Sequence, residues 1–574
     1  MSFALLRSGG RPLAALLLFG LVFKLLVLAA ALDSDPLAHH ATSDVRYYLD
    51  QARGGSGAAR ASEPFHMPPL YPRLLASLPG GTEGASTSVL VLQVLAGVFG
   101  LLLAWLAAAR RVGPRWALIA PALCLAYGPL SFFETKRLGD SLASVLLLGV
   151  VVLAEALPRV KRNEVTPSAA SRSSQAGTSV KGASWRGALL GASLSLAALL
   201  RPQALLLTPL LALWTWKRVG RAPALALALG ALLVLLPSTL HNVSAGAGLV
   251  PVSDNGPINL WLAHEGPPSG TFVTARPEFG SIHSQAQVAK RAAEQAAGHA
   301  LTWAEVSAHW RSEALALLVT EPLDVLERIG LRGAALVESF QTGIVSVPEV
   351  ERLLIPPLRM AALPFGVLLG LAAGLWLALR DPARAGAATK PAKDAAHDTG
   401  PHPGNDAPSC VPAWLLSFTV IVSTLMFFHY ERFRLPLIPL LAVAVAVGVA
   451  RWREQRPRAG FVLAGALVAL LLAAQSFLPR GHHAHVRANG WSSVAEARLA
   501  QLNPGDVHGL ADVEAEFATA LEADPHYPRA LLGHARCALL RGDRSEALRR
   551  VEHAEALVPG WDELSALRRL AEGG

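Results

Sequence analysis

At 574 residues, 52% hydrophobic and only 16% charged, with a mean hydropathy of +0.38, the chain is too apolar for a soluble globular protein of its length. Its net charge of +9 sits in clusters between apolar runs, which reads as membrane topology and not as a nucleic-acid surface. Cys124, Cys410 and Cys537 lie far apart without CxxC spacing, so neither a disulfide framework nor a cysteine zinc site is expected.

The first apolar run, 13–32, follows Arg7 and Arg11 and precedes Asp33 and Asp35, which predicts a cytoplasmic N-terminus and an external first loop at 33–86. Ala29, Ala30 and Ala31 imitate a cleavage site, but the run's length and the internal Lys24 predict an uncleaved helix. Further spans are predicted at 87–109, 117–133 and 138–157, with inner ends marked by Arg110 and Arg111 and by Arg159, Lys161 and Arg162. Residues 163–181, rich in Ser, Ala, Gly and basic residues without periodicity, read as a disordered cytoplasmic linker.

The runs 185–200 and 202–216 form a tight pair around Arg201, and 223–240 crosses again. Residues 241–357 are polar enough for a large external loop with helical stretches. The runs 359–379, 411–428, 433–450 and 459–478 complete about eleven spans, with a linker at 381–409 and basic inner ends at Arg380, Arg451, Arg453, Arg456 and Arg458. The predicted class is therefore all-α: a polytopic membrane bundle over 1–479, followed by an external helical tail over 480–574.

In that tail ALEADP at 520–525 and AEALVP at 554–559 align, with Pro525 and Pro559 at a 34-residue period. This resembles a tetratricopeptide repeat, in a short array or cap. The histidines His39, His40, His482, His483 and His485 have no carboxylate or cysteine at ligand spacing, so they read as exposed loop residues and no metal site is predicted. Asn242-Val243-Ser244 is a glycosylation sequon, meaningful only in a host that modifies asparagine.

The first external loop holds Asp44, Tyr47, Tyr48, His66 and the turn Pro68-Pro69-Leu70-Tyr71-Pro72. An acidic residue, a tyrosine a few positions on and a PPLYP-like turn resemble the first loop of GT-C glycosyltransferases, in particular the bacterial family 39 enzymes related to protein O-mannosyltransferases and aminoarabinose transferases. Phe132-Phe133-Glu134, Leu200-Arg201-Pro202, His241-Asn242, Asn255-Gly256-Pro257-Ile258-Asn259-Leu260, Pro268-Ser269-Gly270 and Glu431-Arg432-Phe433-Arg434-Leu435-Pro436 follow in an order similar to that family's landmarks. The family's acidic pair is here Asp44-Val45, and Asp33-Ser34-Asp35 offers a rival DxD. A nucleotide-sugar use of that DxD is discounted, because no βαβ pattern accompanies it.

The resemblance implies an inverting glycosyltransferase that takes a hexose or pentose from a polyprenyl-phosphate donor to an extracytoplasmic protein or glycolipid acceptor, without a cofactor. Displacement at an anomeric carbon needs a base and cations for the departing phosphate. Asp44 is the expected base, with Asp33 and Asp35 as rivals, and Glu134 is the expected catalytic partner that orients the acceptor or supports the site. Lys136, Arg137, Arg201, Arg432 and Arg434 are expected phosphate contacts, with Tyr47, Tyr48, His66, Tyr71, Asn242 and Asn259 as further substrate-binding residues. The high Ala, Arg and Gly content points to a bacterial inner membrane, with the C-terminus extracytoplasmic and the tail open to a protein partner. Three other readings are weighed. An oligosaccharide ligase or polymerase relies on a large late loop. A transporter is disfavoured by the absence of repeated spans and the scarcity of mid-span charge. A membrane-anchored scaffold acting through the tail needs only one span.

Overall fold

The computed structural model describes residues 3–54, 62–81, 87–157, 172–272, 276, 279–379, 409–455, 459–503, 505–557 and 562–573. Residues 163–171, the linker at 381–408, Pro559 and the basic residues Arg159, Lys161, Arg162, Arg380, Arg456 and Arg458 lie outside them. Residues 172–181, expected as linker, are instead helical.

The fold is an all-helical, polytopic membrane bundle. Helix α1 (Phe3–Ser34) leads through a 3-10 turn at Pro36–Ala38 to α2 (Ser43–Ala52) and α3 (Leu70–Ser77) in the first loop. Helices α4 (Ser88–Ala117), α5 (Ile119–Ala126), α6 (Gly128–Glu134), α7 (Asp140–Glu155) and α8 (Arg172–Leu200) follow. A 3-10 turn at Pro202–Leu206 precedes α9 (Leu207–Arg218) and α10 (Arg221–Ser244). The large loop folds as α11 (Gly256–Glu265), α12 (Ile282–Ala297), α13 (Trp303–Thr320), α14 (Pro322–Val337) and α15 (Pro348–Glu351). The chain then runs through α16 (Phe365–Ala378), α17 (Val411–Met426), α18 (Glu431–Arg434), α19 (Leu437–Gln455) and α20 (Ala459–Gln475). The tail is α21 (His482–Leu499), α22 (Val507–Ala523), α23 (Pro528–Leu540), α24 (Arg544–Leu557) and α25 (Asp562–Glu572).

Four helical segments, Gly10–Ser34, Ser88–Ala117, Gly182–Leu200 and Arg221–Ser244, are long and apolar enough to cross a membrane by themselves. Phe365–Ala378, Val411–Met426 and Ala459–Gln475 are apolar but shorter; at 1.5 Å per residue they measure about 21 to 26 Å against a hydrocarbon layer of about 30 Å. The run expected as one span at 117–133 is broken: Tyr127 leaves the helical region (φ −90°, ψ 93°) and bridges to Ala362, while Gly128 N–H donates to Ala361 O.

Small residues set the helix pairing. Gly187 and Gly191 on α8 are four apart, and a Cβ at either would lie 2.3 Å from Pro223 O or 1.9 Å from Leu227 O of α10. Gly370 and Gly374 do the same for α16 against Ala469 O and Gly465 O of α20. Without a hydrophobic driving force between helices in lipid, such close backbone approach supplies the packing.

The tail docks on the face that carries the loops. Gln501 Nε2 donates to Pro36 O, Asn489 Nδ2 donates to Ile344 O, and both rings of His482 and His483 reach Glu338. Its own core forms around Phe517, against which Gly533 packs so closely that a Cβ would lie 2.2 Å from the ring.

Candidate functional site

Asp44, Tyr47 and Tyr48 recur at i, i+3 and i+4 on α2, so they share a face, and all three are buried. The residue before Asp44, Ser43, has φ +43°, the one positive φ outside glycine among the described residues. A side chain rarely adopts that conformation unless its surroundings impose it, and such strain concentrates at functional sites. Tyr48 packs edge-on to Tyr71 with centroids 5.4 Å apart. Burial, then the neighbouring Asp44 charge, raise the Tyr48 phenol above its ordinary value and keep it protonated.

Asp44 Oδ2 accepts from Arg432 Nη1 at 3.0 Å, a pairing across 388 residues. Arg432 lies 5.4 Å from the centre of the Phe433 ring, and Arg201 stacks on the same ring at 5.1 Å. Arg201 is available because the helix stops there: it takes an extended conformation (φ −144°, ψ 99°) before Pro202, which a helix would not tolerate in its interior. Its partner is Asp140, at the start of α7. Burial, then the like charge of Arg432, lower the Arg201 pKa, so the two guanidiniums feel one another.

Both arginines line a cleft of about 560 Å³ counting its mouth, with Asp140 and Gln203 near them and Leu147, Leu416, Val420 and Phe433 among its apolar walls. Such a cleft fits an amphiphile: greasy walls for a chain, two cations for an anionic head, and a carboxylate beside each cation, Asp140 on Arg201 and Asp44 on Arg432.

The other predicted residues fall elsewhere. Glu134 is buried against Lys24, whose Nζ lies 2.6 and 2.8 Å from its two oxygens. The backbone of its turn nevertheless leads back to α2: Gln93 Nε2 donates to the carbonyls of Glu134 and Lys136, and Gln93 Oε1 accepts from Tyr71 Oη at 2.9 Å. Lys136 is held between Asp35 and Glu351, and Arg137 donates to Ala38 O at 2.7 Å. Glu351 carries no motif that would have flagged it. Burial pushes its carboxyl up to about 7, against the nearby Lys136 charge that lowers it.

Arg434 is fully buried, with Glu431 and the carbonyls of Leu336, Glu338 and Phe340 as acceptors. His66 bridges Asp254 (3.1 Å) and Gln285 (3.0 Å), pinning the first loop to the large one. Asn242 accepts from Phe65 N–H and donates to Val250 and Val252 carbonyls. Asn259 is half-buried on α11, its backbone N–H donating to Asn255 O. Of the expected set, Asp44, Tyr48, Arg201 and Arg432 come together; Tyr47 flanks Tyr48, with ring centroids 6.3 Å apart.

The histidine expectation needs correction. His482 and His483 are not exposed loop residues lacking a carboxylate: Glu338, 144 and 145 positions away, accepts from their Nε2 atoms at 2.8 and 3.0 Å. Arg480 Nε lies 3.0 Å from the same carboxylate, so a guanidinium already faces its charge. Burial raises the Glu338 carboxyl, the histidine hydrogen bonds outweigh it, and its pKa falls to about 2.

No protein-family model and no curated protein matches this chain. Among solved structures it is similar to ArnT from Cupriavidus metallidurans bound to undecaprenyl phosphate, at 15% identity over 85% of this chain and 81% of that one, with a TM-score of 0.33.

Proposed function

We propose that this chain is a GT-C-type membrane glycosyltransferase, family 39-like, that moves a sugar with inversion from a polyprenyl-phosphate donor to a protein or glycolipid outside the cytoplasm. The observation that supports this reading is the cleft whose apolar helix faces run to Arg201 and Arg432, with Asp44 on the second arginine. In this reading the polyprenyl chain lies along Leu147, Leu416 and Val420, and the phosphate takes its charge-assisted hydrogen bonds from the two guanidiniums.

The donor phosphate competes for Arg432 and releases Asp44, which takes the acceptor's hydroxyl proton as the acceptor oxygen attacks the anomeric carbon. The bond from that carbon to the phosphate oxygen breaks, and the arginines stabilise the charge left on the phosphate. Tyr48, kept protonated, donates toward the sugar. The turn after Glu134 supports α2 from behind through Gln93 and Tyr71. Residues 1–479 form the catalytic unit of a bacterial inner-membrane protein with a cytoplasmic N-terminus, and 480–574 a tetratricopeptide-like tail outside, open to a protein partner.

The test is sugar release from a radiolabelled panel of polyprenyl-phosphate sugars by membranes carrying the wild-type chain, Asp44→Asn or Arg201→Gln, matched for expression. One donor consumed by wild type and by neither variant is the expected result. Equal consumption by Asp44→Asn removes Asp44 as the base, and no consumption by any of the three removes the lipid-donor reading.

A further inference from the structure

Arg328 and Arg332 are four apart on α14, so they share a face, and they are 5% and 2% exposed. Neither pairs with a carboxylate among the described residues. Their acceptors are backbone carbonyls: Arg328 Nε and Nη2 donate to Gly266 O at 3.1 and 2.7 Å, and Arg332 donates to Leu425 O at 2.9 Å and to Ala263 O. Those carbonyls belong to the C-terminal ends of α11 and α17, each worth about half a negative charge. Two helix ends thus offset about one of two buried positive charges. The remainder is costly to leave without a counter-ion.

Two donors are also left over. Arg328 Nη1 and Arg332 Nε are buried without a hydrogen-bond partner. Between the guanidiniums and the loop after α11 lies a small pocket, about 200 Å³ counting its open mouth, lined by Gly266, Ser269, Thr271, Arg328, Arg332 and Phe428 among others, with no carboxylate in its walls. The Ser269 and Thr271 hydroxyls, 3.4 Å apart, supply further donors. His264, pushed down to about 4 by burial and by Arg332, is neutral at pH 7. The pocket shares no lining residue with the Arg201 and Arg432 cleft.

We propose that Arg328 and Arg332 form a second, separate anion site that takes a single phosphate group, either free or as a monoester. The residual charge, the orphaned N–H groups and the paired hydroxyls all ask for an oxygen-rich anion. The inference stands independently of the proposed reaction.

The test is calorimetric titration of the detergent-purified full chain with inorganic phosphate, with chloride and glycerol phosphate as competitors. Saturable phosphate binding is expected in wild type and in Arg201→Gln, weakened about tenfold or more in Arg328→Lys and Arg332→Lys, which keep the charge but lose the planar fork. Arg328→Gln is a harsher variant, read only if its melting profile matches wild type. Displacement by glycerol phosphate assigns the site to phosphate esters, and failure to displace assigns it to free phosphate. Absence of binding, chloride competing as well as phosphate, or binding lost in Arg201→Gln but kept in both lysine variants would overturn the proposal.

Discussion

Replacing Glu338 with Gln removes one carboxylate that holds the tail to the loop face. The side chain is fully buried and meets His482 at 2.8 Å, His483 at 3.0 Å and Arg480 at 3.0 Å. Two estimates of its worth agree. Removing one partner of a buried charge network costs about 3–5 kcal/mol. A carboxyl lowered from 4.5 to about 2 on folding stabilises the folded state by about 3–4 kcal/mol at neutral pH, since each pKa unit is worth about 1.4 kcal/mol. Because the folded-state pKa is the lower one, the contribution is complete above about pH 4.5 and is lost as pH falls toward about 2. The assay is thermal unfolding and limited proteolysis of the detergent-purified protein from pH 7 to pH 3. Glu338→Gln is expected to loosen residues 480–574 at pH 7 and to flatten the acid dependence seen in wild type. Equal melting and equal acid dependence in the two proteins would refute the reasoning.

Three further predictions rest on particular contacts. Lys24→Met leaves the buried Glu134 carboxyl without its ion-pair partner, a loss of up to about 3–5 kcal/mol; the double variant Lys24→Met/Glu134→Gln is expected to regain most of it, read as folded yield in detergent by size-exclusion chromatography. Gly97→Ala places a Cβ 2.0 Å from Glu134 Oε1, and is expected to lower the melting temperature because the carboxylate must leave Lys24. Asn242 is fully buried with its amide nitrogen donating to two carbonyls, so expression in a glycosylating host is expected to give no endoglycosidase-sensitive mass shift at this sequon.

The helical class was legible because apolar runs and their basic ends need no tertiary information. The α8–α10 pairing was not read from the sequence, which paired 185–200 with 202–216 around Arg201; Gly187 and Gly191 bring α8 against α10 instead. Nor was the break at Tyr127, because it depends on Ala361 and Ala362, more than two hundred positions on. Equally hidden was which cations stay accessible. Lys136 and Arg434 look like phosphate ligands beside a span, yet Asp35 with Glu351 and Glu431 with three carbonyls occupy them. Histidines 482 and 483 have no acid near them in sequence, and only the fold brings Glu338 to them. Local pattern finds residue types at a membrane surface; pairing over hundreds of residues decides which of them are already spent.

That pairing also separates the three candidate bases, Asp33, Asp35 and Asp44. Asp33 is exposed at the end of α1 and accepts from Ser34 Oγ at 3.1 Å, so it is a solvated surface residue. Asp35 is buried, caps the 3-10 turn through Leu37 N–H at 3.0 Å and binds Lys136. Removing it leaves Lys136 to Glu351 and frees a turn on which Gln501 of the tail rests. Among the described residues the Asp44 carboxylate has one side-chain partner, Arg432, itself on the wall of the cleft. Asp33→Asn is therefore expected to leave both stability and sugar transfer near wild type. Asp35→Asn should lower the melting temperature and, through the tail, sensitise residues 480–574 to protease. Asp44→Asn should keep the melting temperature within a few degrees, because an amide still accepts from Arg432, while abolishing transfer, because an amide takes no proton. If Asp35→Asn melts like wild type yet loses transfer, the base is Asp35 and the assignment built on Arg432 fails.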